Sequence, residues 1–132
     1  MKTVQLSHGG GGEETNTLIR DLFYQYFKND ILIKAEDAAV LEVGKKIAFT
    51  TDSFTVSPIF FKGGDIGKLA TAGTVNDLSM MGAQPLYLSA AFMIEEGLPF
   101  DDLEQIVVSM ADELKKSGAK IVCQNQQHVW AI

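Results

Sequence analysis

Residues 86–122, LYLSAAFMIEEGLPFDDLEQIVVSMADELKKSGAKIV, decide the fold. They open with Leu86, Leu88, Ala90, Phe92 and Ile94 alternating with Tyr87, Ser89, Ala91 and Met93, and both sets lean apolar. Alternation with apolar residues on each side describes a strand covered on both faces. The period then changes. Leu103, Ile106, Val107, Met110, Ala111 and Leu114 fall on one stripe of an amphipathic helix. Asp101 and Glu104 have the spacing of a capping box, and Lys115 and Lys116 suit the negative end of the helix dipole. Gly118 closes the helix, and Lys120-Ile121-Val122 begins another strand.

Upstream, a helix is expected over Ile66 to Met81, rich in Ala70, Ala72 and Gly73, which allow close backbone approach. Asp65 is placed to cap it and Gly82 to stop it. Phe54 to Gly64, with Pro58, Phe60-Phe61 and Gly63-Gly64, reads as a loop. Ala38 to Val43 and Lys46 to Thr51 flank Gly44-Lys45 as a tight hairpin, and a short extended piece is expected near Ile31-Leu32-Ile33. Leu18, Ile19, Leu22, Phe23, Tyr26 and Phe27 predict a helix over 13–28 whose first turn carries Glu13 and Glu14. Helix, hairpin, helix, strand, helix, strand is the order of an α+β domain. The doubly apolar strand needs a second layer, which a partner subunit would supply.

The composition fits this. The chain has 132 residues, 46% hydrophobic and 21% charged, enough for one domain with its own core. Eleven Lys+Arg against 17 Asp+Glu give a net charge of −6, which argues against nucleic-acid binding. A single cysteine, Cys123, forbids an internal disulfide. There is no apolar signal-peptide core and no run long enough to span a bilayer, so the expected location is the cytoplasm.

The glycine run Gly9-Gly10-Gly11-Gly12 leads into a helix, where backbone amides can hold anionic oxygens; a flexible tail is the other reading. Gly63-Gly64-Asp65-Ile66-Gly67-Lys68-Leu69 superficially resembles a P-loop but fails its spacing, and Leu69 stands where a hydroxyl should meet magnesium. Asp37 precedes a predicted strand, Asp52 ends the next, and Asp77 lies in an otherwise apolar helix. Such carboxylates suit Mg²⁺ bridging nucleotide phosphates. Equally, Asp37 and Asp52 read as turn residues, and Asp77 as a residue capping backbone or facing solvent. His8 and His128 lack zinc-ligand spacing, and Cys123 in an apolar strand reads as a small buried hydrophobe.

Together the motifs say more. Ser7–Gly12, Glu36-Asp37-Ala38-Ala39, Thr50-Thr51-Asp52-Ser53-Phe54, Val56-Ser57-Pro58 and Gly63–Ala70 stand in the order found in the HypE family of hydrogenase-maturation proteins. So do Gly73-Thr74-Val75-Asn76-Asp77-Leu78, Pro85–Ser89 and Glu95-Glu96-Gly97-Leu98-Pro99. The resemblance covers roughly residues 4–123. It implies a PurM-like N-terminal domain, the superfamily of aminoimidazole ribonucleotide synthetase: a mixed or antiparallel sheet with helices on one face, completed into a barrel by a homodimer.

The resemblance further implies ATP and Mg²⁺ as cofactors, with Asp37, Asp52 and Asp77 as metal ligands. Gly9, Gly10, Gly11, Thr51, Asp52 and Asn76 would lie around the nucleotide. The implied reaction is ATP-dependent dehydration of a carbamoylated C-terminal cysteine to a thiocyanate, for the cyanide ligands of [NiFe] hydrogenase. The carbamoyltransferase HypF is the implied partner, beside other hydrogenase-maturation proteins.

The chain departs from this pattern at its end. The family has Gly-Asp-Thr-Lys after the last strand, and here Cys123-Gln124-Asn125-Gln126 follows Val122 without a carboxylate. Residues 1–122 are thus read as the ATP-binding half, 123–132 as a divergent tail, and the second domain and its reactive cysteine as absent. No residue of this chain is assigned as catalytic, and the chain alone is expected to be inactive. Two alternatives stay open: a partner-binding module of hydrogenase maturation, or half of another ATP-dependent kinase or synthetase of the superfamily.

Overall fold

The computed structural model describes residues 1–123 and, as backbone, residues 127–130. A 3-10 turn at Leu6–Gly9 leads into α1 (Glu13–Leu18), which widens to a π turn at Ile19–Phe23 and narrows again as α2 (Tyr24–Phe27). The helical run expected over 13–28 therefore forms. Leu18, Leu22, Phe23 and Phe27 are buried, with Ile19 and Tyr26 at the core edge.

A second 3-10 turn, Leu32–Lys34, replaces the extended piece expected there. The Asn29 side chain accepts both Ile31 N–H and Leu32 N–H at 3.1 Å, which curls the chain. The hairpin of 38–51 is also corrected: none of these residues forms a strand. Val40, Ile47 and Phe49 are 84, 66 and 86% exposed, so the apolar faces that would stabilise two strands have nothing to pack on. The loop expected over 54–64 instead holds a small antiparallel pair, β1 (Phe60–Phe61) and β2 (Gly64–Asp65), turned by Gly63 at φ +99°.

Helix α3 spans Ile66–Met80, and Gly82 at φ +69° ends the turn after it, as expected. Asp65 caps it, its carboxylate accepting Lys68 N–H at 2.9 Å. The predicted strand of 86–94 divides into β3 (Tyr87–Ser89) and β4 (Phe92–Glu95). Leu88 and Ile94 of one set are buried while Ser89, Ala91 and Met93 of the other are exposed, so the described residues of this chain cover one face only.

Helix α4 (Phe100–Ser117) buries all six residues of its predicted stripe, and Gly118 closes it at φ +76° with its N–H on Leu114 O. The expected Asp101–Glu104 capping box does not form. Pro99 occupies the cap position, and Phe100 N–H donates to Lys2 O. The N-terminal residues have added themselves there: Val4 N–H donates to Leu98 O, Gly97 N–H to Val4 O, and Thr3 bridges Pro99 antiparallel. Glu104 accepts the Tyr26 hydroxyl at 2.6 Å instead.

β5 (Lys120–Cys123) runs parallel to β3, pairing Leu88 with Ile121. The backbone of β6 (Gln127–Trp130) runs parallel to β4. The crossover helix α4 makes this a β-α-β unit, as parallel pairing requires. What else was expected of a tail over 123–132 lies outside the described residues. The result is α+β, with small parallel and antiparallel sheets and a core where α1, α2 and α4 meet β3 to β5.

Candidate functional site

The glycine run is a shaped turn, not a tail. Gln5 N–H donates to His8 Nδ1 at 2.9 Å, so that ring nitrogen acts as an acceptor. Gly10 N–H donates to Ser7 O at 3.2 Å, and Gly11 N–H to the buried Thr15 hydroxyl at 3.0 Å. That hydroxyl donates in turn to Ser7 O. Gly11 sits at φ +76°, a conformation side chains rarely adopt, and Gly12 begins α1. A Cβ added at Gly11 or Gly12 would meet nothing within 4 Å, so this backbone is open to an approaching group.

Asp37 is exposed and lies at the rim of a cavity of about 170 Å³. Ala35, at φ +52°, turns the chain so that Glu36, Asp37, Ala38 and Ala39 form one wall. Val122 and Cys123, at the C-terminal end of β5, form another, and Asn16, Ile19 and Tyr24 of the first helical run line the rest. The cavity thus opens where the family's Gly-Asp-Thr-Lys would begin.

Asp52 and Thr51 lie exposed on the irregular segment, where Asp52 accepts Ser53 N–H at 2.8 Å. Asn76 and Asp77 lie on the solvent face of α3. The apolar neighbours of Asp77 in sequence are therefore not its surroundings in space, and burial does not force it to hold a metal. Among the described residues, no three His, Cys, Asp or Glu side chains converge on a metal-sized site. One chain does not by itself bring Asp37, Asp52 and Asp77 together.

Among the described residues the buried carboxylate is that of Asp65. Besides Lys68 N–H it accepts the Ser109 hydroxyl at 2.5 Å, tying the start of α3 to α4. Sequence reading found the cap but not Ser109, since nothing local marks that pairing. The bond to Glu104 holds the Tyr26 phenol above the usual tyrosine pKa, with desolvation adding to it.

Residues 35–125 match the sequence profile of the family described as AIR synthase related protein, N-terminal domain. The chain belongs to that family. Within it, the chain is similar to carbamoyl dehydratase HypE of Escherichia coli (strain K12), 45% identical over 128 residues that cover 92% of this chain and 38% of the relative. HypE of Rhodobacter capsulatus is 48% identical over 122 residues, 90% of this chain and 36% of the relative. A crystal structure of HypE in complex with ATP superposes with a TM-score of 0.94 at 49% identity, covering 98% of this chain and 38% of that one. HypE from a HypE–HypF complex superposes with a TM-score of 0.60 at 52% identity, over 86% of this chain and 36% of that one. The resemblance to HypE read from the motifs stands, and this chain of the AIR synthase related family spans little more than a third of these relatives' length. No helix among the described residues is long and apolar enough to cross a membrane.

Proposed function

We propose that this chain is the nucleotide-binding and dimer-forming domain of a HypE-like ATP-dependent carbamoyl dehydratase. The observation that carries this reading is the close superposition on HypE solved with ATP. Asp37, Asp52 and Asp77, with the Thr51 hydroxyl and the Asn76 amide, are hard oxygen donors of the kind magnesium takes. Their separation within one chain fits a site that closes on assembly. Two copies pairing their 38–51 segments would cover Val40, Ile47 and Phe49 and complete the barrel.

Magnesium held there would neutralise nucleotide phosphate charge. The turn of Gly9, Gly10 and Gly11, open at Gly11, would approach the phosphates. The complete enzyme would transfer the γ-phosphoryl group of ATP to the carbamoyl oxygen on a terminal cysteine sulfur, releasing ADP; loss of the nitrogen's protons and cleavage of the C–O bond would then expel phosphate and leave the thiocyanate on sulfur. This chain carries the nucleotide half of that work and does not turn over alone. HypF is the proposed partner, supported by the likeness to HypE solved with it. The cytoplasm is the proposed location, in keeping with the one cysteine.

Calorimetric titration of Mg-ATP, with the mass read by light scattering in the same buffer, tests this. Saturable binding by a dimer is the expected result. A dimer that takes up no nucleotide would reduce the chain to an assembly module.

A further inference from the structure

We propose that Asn29 is a positioning residue for the metal-bound nucleotide: its side chain joins two walls of the Asp37 cavity, the 31–39 segment and the end of β5, and fixes their separation. The inference rests on the nucleotide-binding reading above. Asn29 Nδ2 donates to Ile121 O at 2.7 Å and to Phe27 O at 3.0 Å. Its Oδ1 accepts Ile31 N–H and Leu32 N–H, each at 3.1 Å. One half-buried amide therefore holds the end of α2, the 3-10 turn and strand β5 together.

These attachments bear directly on the cavity. Ile121 immediately precedes Val122 and Cys123, which form one wall. Ile31 and Leu32 begin the segment that forms the other. From there backbone bonds run without a gap: Ile33 N–H to Asn29 O at 3.2 Å, Lys34 N–H to Ile31 O at 3.3 Å, and Ala35 N–H to Leu32 O at 3.1 Å. Ala35 then turns the chain into Glu36 and Asp37. A shift of Asn29 against β5 is carried along this hydrogen-bonded turn to Ala35, two residues before Asp37. A carboxamide offers two N–H donors and a carbonyl oxygen with two lone pairs, and this joint uses all four.

Asn29→Asp tests the joint selectively. It keeps an acceptor for Ile31 and Leu32 but loses both donations, and so releases β5. Mg-ATP and magnesium-free ATP are titrated into both proteins, with melting followed alongside. The expected result is a loss of about tenfold in Mg-ATP affinity, the scale of one hydrogen bond, with magnesium-free affinity unchanged. Equal Mg-ATP affinity in the two proteins would overturn the role of Asn29 while leaving the nucleotide reading intact. Affinity falling alike with and without magnesium, in step with melting, would make Asn29 merely structural. A wild-type protein that binds no Mg-ATP would sink both.

Should Asn29→Asp fail to fold, amide exchange on the wild-type protein serves instead. Protection of the Ile31 and Leu32 amides should rise when Mg-ATP binds, and unchanged protection would overturn the proposal.

Discussion

The Thr71 hydroxyl on α3 is buried and has no hydrogen-bond partner among the described residues. An unsatisfied buried hydroxyl costs about 1–3 kcal/mol, and valine has the same shape and a similar helix propensity. Thr71→Val is therefore expected to raise the urea midpoint by the equivalent of about 1 kcal/mol, and a lower midpoint would mean the hydroxyl has found a partner. Asp77, exposed on the same helix, is expected to matter only to ligand. Asp77→Asn should leave the melting temperature unchanged and abolish most stabilisation by Mg-ATP; a collapsed fold would make the carboxylate structural. Single residues were legible where their cause is local. Asp65 follows Gly63-Gly64 and precedes an apolar helical run, and it caps as read. Ser109, its partner 44 residues away, leaves no local trace. Asp77 shows the converse, since apolar neighbours along a helix do not tell which side of it faces the core.

At the scale of elements, α3 and α4 approach backbone to backbone at Gly67. A Cβ there would lie 2.4 Å from Ile106 O and 2.9 Å from Met110 Cγ, and a main-chain oxygen cannot step aside as a side chain can. Gly67→Ala is expected to cost about 3 kcal/mol in denaturant titration, the upper part of the overpacking range. Gly12→Ala, with nothing within 4 Å, should cost much less. The Tyr26–Glu104 bond links the first helical run to α4 and gives a pH test. Its phenol pKa is raised in the folded protein, first by the bond to Glu104 and then by desolvation. Its stabilising contribution is therefore present below the unfolded value of about 10 and lost as pH rises through the raised value. Tyr26→Phe should flatten the alkaline fall in the urea midpoint, and parallel profiles would refute the coupling. Periodicity made both long helices legible because each has its own buried stripe or cap. The capping box failed because the helix already begins at Phe100, with Pro99 as its cap, and because Tyr26, distant in sequence, bonds the Glu104 carboxylate.

At the scale of the whole molecule, the 38–51 segment is where sequence and single-chain structure part. Its apolar runs around Gly44-Lys45 read as a hairpin, but a ladder needs a cover that the described residues of one chain do not supply. Phe49→Glu is expected to leave monomer melting unchanged and to abolish dimerisation in light scattering, because Phe49 touches little in its own chain. A persistent dimer would place the interface elsewhere. On the proposed reading the metal site would form only with that cover, because one chain keeps Asp37, Asp52 and Asp77 from converging.

The docking of residues 2–4 along Leu98–Phe100 also constrains how the chain is made. Val4 cannot be buried, nor the first turn of α4 receive its carbonyl from Lys2, until residue 100 has left the ribosome. Asn29 waits longer still, for a carbonyl 92 residues downstream. These early segments are thus among the last to settle, and their apolar side chains stay exposed until the downstream residues are made.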